Sequence, residues 1–74
     1  MHTATITPRG SFHYLHLLTD GVPHARLVFE NSAVDPTALA GHTLNRHGWE
    51  TVEPFTRQPD NTHTAPIRRI TFIP

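Results

Sequence analysis

The chain has 74 residues with six arginines, no lysine, six acidic residues and no cysteine, and its formal net charge is zero when its seven histidines are neutral. A chain of this length has room for one domain, residues 1–74, and the absence of cysteine excludes disulfides, thiolate metal sites and thiol chemistry. The zero net charge disfavours a general nucleic-acid-binding protein, because such proteins gain most of their affinity by neutralising phosphates with a basic surface.

Three strands are predicted before the helix. His2–Pro8 alternates apolar residues with threonines and runs into a proline, which indicates a strand at an edge of the sheet. Phe12–Leu18 and His24–Glu30 are apolar-rich runs separated by TDGVP, in which Asp20 and Gly21 supply the turn chemistry. The sequence therefore predicts a hairpin with a loop of about five residues.

The side chains of this hairpin are expected to divide between the two faces of the sheet, because they alternate along each strand. The more apolar set is assigned to the core: His13, Leu15, Leu17, Ala25, Leu27 and Phe29. The other face then carries Tyr14, His16, Leu18, His24, Arg26 and Val28. His13 lies near the end of the core set, where we expect a backbone group to satisfy its ring.

A helix is predicted from about Pro36 to His47. Asp35 is a typical N-cap, and a proline at the first helical position loses no hydrogen bond. Gly48 fits the left-handed position that follows many helices, and Trp49 can fold back against the last turn. This helix is short and has a narrow apolar stripe, so it needs a sheet to pack on.

The remaining chain is predicted to contain two strands. Trp49–Arg57 alternates like a strand with an irregularity at Pro54, residues 57–66 form a polar loop, and Ile67–Pro74 is the last strand. The predicted order is β-β-β-α-β-β. The fold class is therefore α+β, an antiparallel sheet of four to five strands with one helix packed on one face.

Catalytic motifs are absent from the sequence. No serine or threonine lies in a glycine-flanked nucleophile turn, and no two acidic residues have a spacing that would place their carboxylates side by side. Phosphate-binding loops, dinucleotide-binding fingerprints and HExxH are also missing. We therefore predict that the chain is not an enzyme and uses no cofactor.

The seven histidines raise the question of a metal site. His42 and His47 are five residues apart on the helix, and His13 and His16 are three apart on a strand, so neither pair points in one direction. Surface histidines that bind no metal are the expected arrangement. A site assembled from His16 and His24 on the exposed hairpin face is the alternative.

The stretch GSFHYLHLLTDGVPHARLVFENSAVDPTALAGHTL contains an aromatic strand, a turn, a second strand, a third segment and an alanine-rich helix. This layout resembles the sheet-reading DNA-binding domains found at the N-termini of tyrosine recombinases and in a group of plant transcription factors. The resemblance covers topology over about half the chain, and it implies a module that reads DNA with a three-stranded sheet. In those families the sheet face is strongly basic, whereas this chain offers Arg26 and Arg9 with His16 and His24.

Protein–protein interaction is the preferred hypothesis. One helix cannot cover both faces of the sheet, and an exposed, half-apolar face is typical of an interface. We predict that the binding surface consists of Tyr14, His16, His24, Arg26 and Val28. The partner is another protein or a second copy of the chain, and the first and last strands are candidates for edge-to-edge pairing with it.

The expected setting of this module is the cytoplasm, in an accessory or regulatory role. No apolar run approaches the roughly 20 residues that span a bilayer, so no membrane contact is expected. The first residues lack the basic segment and apolar stretch of a signal peptide.

Overall fold

The computed structural model describes residues 1–30 and 35–71, which form six strands and one helix. In chain order the elements are β1 (His2–Arg9), β2 (Phe12–Thr19), β3 (Val22–Glu30), α1 (Pro36–Arg46), β4 (Trp49–Thr51), β5 (Thr56–Arg57) and β6 (His63–Arg69). The strands form one antiparallel sheet in the order β3-β2-β1-β6-β4, and β5 pairs with the same edge of β6 as β4. The predicted α+β class, with a helix packed on an antiparallel sheet, is confirmed.

β1 lies in the middle of the sheet, so the prediction that it forms an edge is wrong. It pairs with β2 along its whole length but with β6 only between His2 and Ile6. Pro8 is tolerated because β6 does not extend that far, so its missing N–H breaks no bond to that strand. The predicted edge-to-edge pairing by the first and last strands is also wrong, because β1 and β6 both have neighbours on each side.

The hairpin of β2 and β3 is confirmed, but its loop has two residues rather than about five. Asp20 and Gly21 have φ angles of 51° and 81°, and positive φ at both central positions defines a type I′ turn. Thr19 and Val22 pair directly on either side of this turn. The tight turn forms because its twist matches that of the two strands.

A β-bulge in β3 explains how the shorter loop keeps the predicted faces. Leu17 pairs with Ala25, whereas Leu18 pairs with Pro23, so His24 is an extra residue without a partner of its own. Beyond the bulge the pairing follows the expected register. The bulge therefore leaves Ala25 and the following residues on their predicted faces, and it changes the pairing at Leu18, Pro23 and His24.

The core lies between the sheet and α1. Its buried residues are Ala4, Ile6, Leu15, Leu17, Ala40, Leu44, Trp49 and Ile67, with Ala25, Leu27, Phe29 and Phe55 packed against them. The apolar members of the predicted core face of the hairpin are all in this set. His13 stacks on Phe29 with centroids 5.1 Å apart and an interplanar angle of 6°. Its buried Nδ1 has no hydrogen-bond partner among the described residues, so the expected backbone partner is not found.

α1 begins and ends close to the predicted residues. The Asp35 carboxylate accepts hydrogen bonds from the Thr37 backbone N–H and from the Thr37 hydroxyl, each at 2.9 Å, and these bonds hold the pKa of Asp35 below its usual value. His47 is the C-cap, and Gly48 follows with a left-handed φ of 83°. No helix in the described part of the chain is both long and apolar enough to cross a membrane.

The strands after α1 differ from the prediction in their bounds. The predicted strand Trp49–Arg57 is divided into β4 and β5, with Pro54 between them, so the sheet has six strands instead of four or five. The polar loop is shorter than predicted, because the Gln58 backbone N–H donates to the Thr62 carbonyl at 2.7 Å and β6 starts at the next residue. β6 ends at Arg69, and residues 72–74 of the predicted last strand lie outside the described residues.

Candidate binding surface

The face of the sheet opposite α1 carries most of the predicted binding residues, and we call it the outer face. Tyr14 pairs with Val28, and His16 pairs with Arg26, so these four residues occupy two neighbouring cross-strand positions on β2 and β3. Alternation places all four on the side opposite the buried Leu15. The structure therefore brings four of the five predicted surface residues together.

Tyr14 is the centre of this group. The guanidinium carbon of Arg26 lies 4.9 Å from the centroid of the Tyr14 ring, which is a cation–π contact. The His16 ring meets the same tyrosine edge-on, with centroids 6.1 Å apart at 87°. Such contacts contribute about 0.5–1 kcal/mol at an exposed site, enough to favour one arrangement of these flexible side chains.

Apolar side chains flank the Tyr14 group. Phe12 is 44% exposed and Val28 is 50% exposed, which is high for large apolar residues within strands. On the other side of β2, Thr7 and Thr5 of β1 pair with Tyr14 and His16, so the surface becomes hydroxyl-rich there. The outer face thus combines an exposed aromatic and aliphatic part on β2 and β3 with a polar part on β1.

The charge on this surface is small and mixed. Arg9 and Glu30 both pair with Phe12 and lie at the same end of the outer face, and Arg26 lies two residues from Val28. Within residues 1–30 and 35–71, neither Arg26 nor Glu30 takes part in an ion pair. The face therefore offers a cation and an anion that are both free to pair with groups of another molecule.

His24 lies at the margin of the other four predicted residues and lines a surface cavity with His16 and Arg26. It lies at the bulge, and its ring centroid is 6.3 Å from that of Trp49, a core residue that is 5% exposed. The bulge turns His24 away from the position that strict alternation would give it. His16 and His24 line the same surface cavity, but their rings contact different aromatic residues, Tyr14 for His16 and Trp49 for His24.

A second cluster surrounds Trp49 at the end of the sheet near the β2–β3 turn. This Trp49 cluster surrounds a cavity of about 280 Å³. The residues that line the cavity are His2, Thr19, Val22, His24, Trp49 and Arg69. The Arg69 guanidinium carbon lies 4.4 Å from the indole centroid, and His2 meets the indole edge-on at 5.0 Å. The Nδ1 atom of His2 is 2.9 Å from the Thr19 hydroxyl oxygen.

Sequence reasoning missed the Trp49 cluster. The cluster needs the pairing of Trp49 with Arg69, the pairing of His2 with Ile67 and Thr19, and the bulge at His24. Each of these is a long-range or irregular feature. The local signal at Gly48 and Trp49 predicted the packing of the tryptophan near the helix end, but it did not indicate the residues of other strands that surround it.

In residues 1–30 and 35–71, no three histidine, aspartate or glutamate side chains are grouped so that they could hold a metal ion.

The chain was also compared with known proteins. No protein-family model, curated protein or solved structure matches it.

Proposed function

We propose that the chain is a small non-enzymatic binding module that acts by contact with another protein or with its own copy. The role we assign to it is accessory or regulatory, and the compartment is the cytoplasm. The proposal does not include a membrane, a cofactor or a metal.

The observation that carries this proposal is the uncovered outer face of β2 and β3. α1 packs on one side of the sheet only, and the opposite side exposes Phe12 and Val28 around the Tyr14–Arg26 pair. Exposed aromatic and aliphatic side chains with an arginine beside them are the composition that protein interfaces favour. Such a surface is best explained by a partner that covers it.

DNA binding through the same face is the alternative function. Arg9 and Arg26 lie on this face and would contact phosphates or bases, but Glu30 lies beside Phe12 and would face the phosphates too. In addition, the sheet continues from β1 into β6 and is not limited to three strands. The mixed charge favours a protein partner over DNA.

A capture experiment with matched valine variants tests the proposal. Val28 on the outer face is 50% exposed, and Val52 beyond β4 is 51% exposed, so lysine at either position should fold equally well. The tagged wild-type protein, Val28→Lys and Val52→Lys are incubated with lysate of the source organism, with and without nuclease, at about 50 and 200 mM salt. Mass spectrometry then identifies what is retained.

The expected result is a protein, or the untagged chain itself, that is retained by the wild type and by Val52→Lys but lost from Val28→Lys. Retention should change little between the two salt concentrations, because an apolar contact is only weakly screened. Nucleic acid recovered without nuclease and released by moderate salt would support the DNA alternative. Equal retention by all three proteins would remove the outer face as the binding surface.

A further inference from the structure

Among residues 1–30 and 35–71, no strand pairs with the side of β3, Val22–Glu30, that faces away from β2, and this strand is nine residues long. Its first part is protected against pairing, because Pro23 has no N–H to donate and the bulge at His24 breaks the ladder. From Arg26 to Glu30 the strand contains no proline and pairs regularly with β2. The last part of β3 is therefore a regularly paired edge without proline or bulge, and a further strand can extend it.

The charges on this edge are complementary to themselves. On the outer side, Arg26 and Glu30 lie two residues before and two residues after Val28. If a second β3 pairs antiparallel about a two-fold axis at Val28, Arg26 of each copy lies opposite Glu30 of the other. Both charges are free of ion pairs in the described chain, so they are available for these contacts.

Other two-fold registers fit less well. An axis at Arg26 would place two guanidinium groups opposite each other, and an axis at Glu30 would do the same with two carboxylates. A shift of one residue in the pairing would set core-side residues opposite outer-face residues. The register centred on Val28 is the one that keeps the faces aligned and pairs opposite charges.

The core side of the same register is also complementary. Leu27 and Phe29 flank Val28 and are partly buried against the core of their own chain. In the Val28-centred pair, Leu27 of each copy lies opposite Phe29 of the other, which covers the exposed parts of both side chains. A two-fold axis perpendicular to the sheet places both α1 helices on one side, so the two cores become continuous.

We propose that a second copy of this chain pairs antiparallel with the Arg26–Glu30 segment of β3 about a two-fold axis at Val28. This inference rests on the proposed function and specifies its partner as the chain itself. The dimer joins two sheets into one through backbone hydrogen bonds, Arg26–Glu30 pairs and Leu27–Phe29 contacts. Its contact area is small, so the association is weak and concentration-dependent.

Charge reversal tests the register directly. Arg26→Glu and Glu30→Arg each place like charges opposite each other twice in the symmetric dimer, and the double variant R26E/E30R restores opposite charges. Sedimentation equilibrium from about 10 µM to 2 mM should show the dimer constant weakened by about tenfold or more in each single variant, which corresponds to about 1.4 kcal/mol. The double variant should recover most of the wild-type affinity, and Arg57→Glu, an exposed arginine on β5, should have no effect.

A single cysteine gives a second test that does not depend on the strength of the dimer. Because the chain has no cysteine, Val28→Cys introduces one thiol per copy, and the proposed axis brings the two thiols together. Directly opposite positions in a sheet have Cβ atoms about 4.5–5.5 Å apart, close to the spacing that a disulfide needs. In a glutathione buffer Val28→Cys should form a disulfide-linked dimer much faster than Val52→Cys.

Several outcomes would overturn this register. A wild-type protein that stays monomeric at about 2 mM, a double variant no better than the single ones, or equal disulfide formation by the two cysteine variants would each do so. A monomer whose outer face still retains a protein in the capture experiment leaves the proposed function intact. A dimer that is lost in Tyr14→Ser but unaffected by the charge reversals assigns self-association to the outer face instead of the β3 edge.

Discussion

The sheet of the described residues has a long edge, formed by β3, and a short edge, formed by β4 and β5. The two edges differ in length and in what they contribute to the fold. On one side, β3 continues for nine residues and exposes Val28. On the other, β4 has three residues and β5 has two, with Pro54 between them. The short edge nevertheless supplies Trp49, which is 5% exposed and belongs to the core.

This contrast separates two tasks that an edge strand can have. The β4–β5 edge is too short and interrupted to accept a further strand, and its value to the molecule is the large side chain that it buries. The long edge contributes smaller, half-buried side chains to the core and keeps its outer residues exposed. We therefore expect substitutions at the short edge to change the stability of the fold and substitutions at the long edge to change its association with a partner.

The largest predicted effect is at Trp49. Replacement of Trp49 by alanine removes a buried indole and leaves a cavity, so it should lower the free energy of unfolding by about 3–5 kcal/mol. Val28→Ala at the long edge should change it by less than about 0.5 kcal/mol, because Val28 is 50% exposed. Urea unfolding followed by circular dichroism measures both. A Trp49→Ala loss no greater than that of Val28→Ala would contradict the role of Trp49 as a core residue.

A smaller effect is predicted at the glycine that connects α1 to the short edge. Gly48 has a φ of 83°, and a Cβ there would meet nothing within 4 Å, so Gly48→Ala should destabilise through backbone strain alone, by about 1–2 kcal/mol. Gly41 is the matched control: it lies in α1, also with open space around it, and Gly41→Ala should stabilise by about 1 kcal/mol. Opposite signs in thermal unfolding are expected. Stability changes of the same sign in the two variants would show that the left-handed conformation of Gly48 is not required for the connection between α1 and β4.

The smallest predicted effect concerns the turn on the short-edge side of the sheet. The Asp60 carboxylate accepts hydrogen bonds from the Thr62 hydroxyl at 2.6 Å and from its backbone N–H at 3.2 Å, which lower the pKa of Asp60. A lowered pKa stabilises the folded state above the pKa of the unfolded chain, and this contribution is lost as the pH falls below about 4.

Thr62→Val removes the hydroxyl donor, so the pKa of Asp60 should rise towards its usual value. NMR titration of the carboxyl carbons provides the measurement. Asp20, in the turn of the long-edge hairpin, is the internal control, because its lowered pKa comes from the N-terminal amine and should not change. An unchanged Asp60 in the variant would mean that the hydroxyl bond does not contribute to the lowered pKa.

The sequence predicted the elements well where the signal was local. Alternation in β2 and β3 identified the core face, Asp20 and Gly21 identified the turn, and Asp35 with Gly48 bounded the helix. Each of these signals depends on residues within a few positions of one another. Local chemistry determines them, so one sequence is enough to read them.

The features that sequence reasoning missed depend on distant residues. The central place of β1 follows from its pairing with β6, and no local pattern in His2–Arg9 indicates a second neighbour. The bulge at His24 was missed because a five-residue loop and a two-residue turn followed by one extra residue give the same pairing from Ala25 onwards. The predicted faces of β3 were therefore correct although the predicted loop was not. The structure brings Tyr14, His16, Arg26 and Val28 together, and it places His24 at their margin, between His16 and Trp49.

The central position of β1 has a consequence for the kinetics of folding. Its contacts with β2 join residues close in the chain, whereas His2 pairs with Ile67 and Ile6 with His63. Closing a loop of this length costs entropy before any β1–β6 bond forms, so the three-stranded meander of β1, β2 and β3 should assemble first. We infer that the arrival of β6, which also brings β4 and Trp49 into place, limits the folding rate.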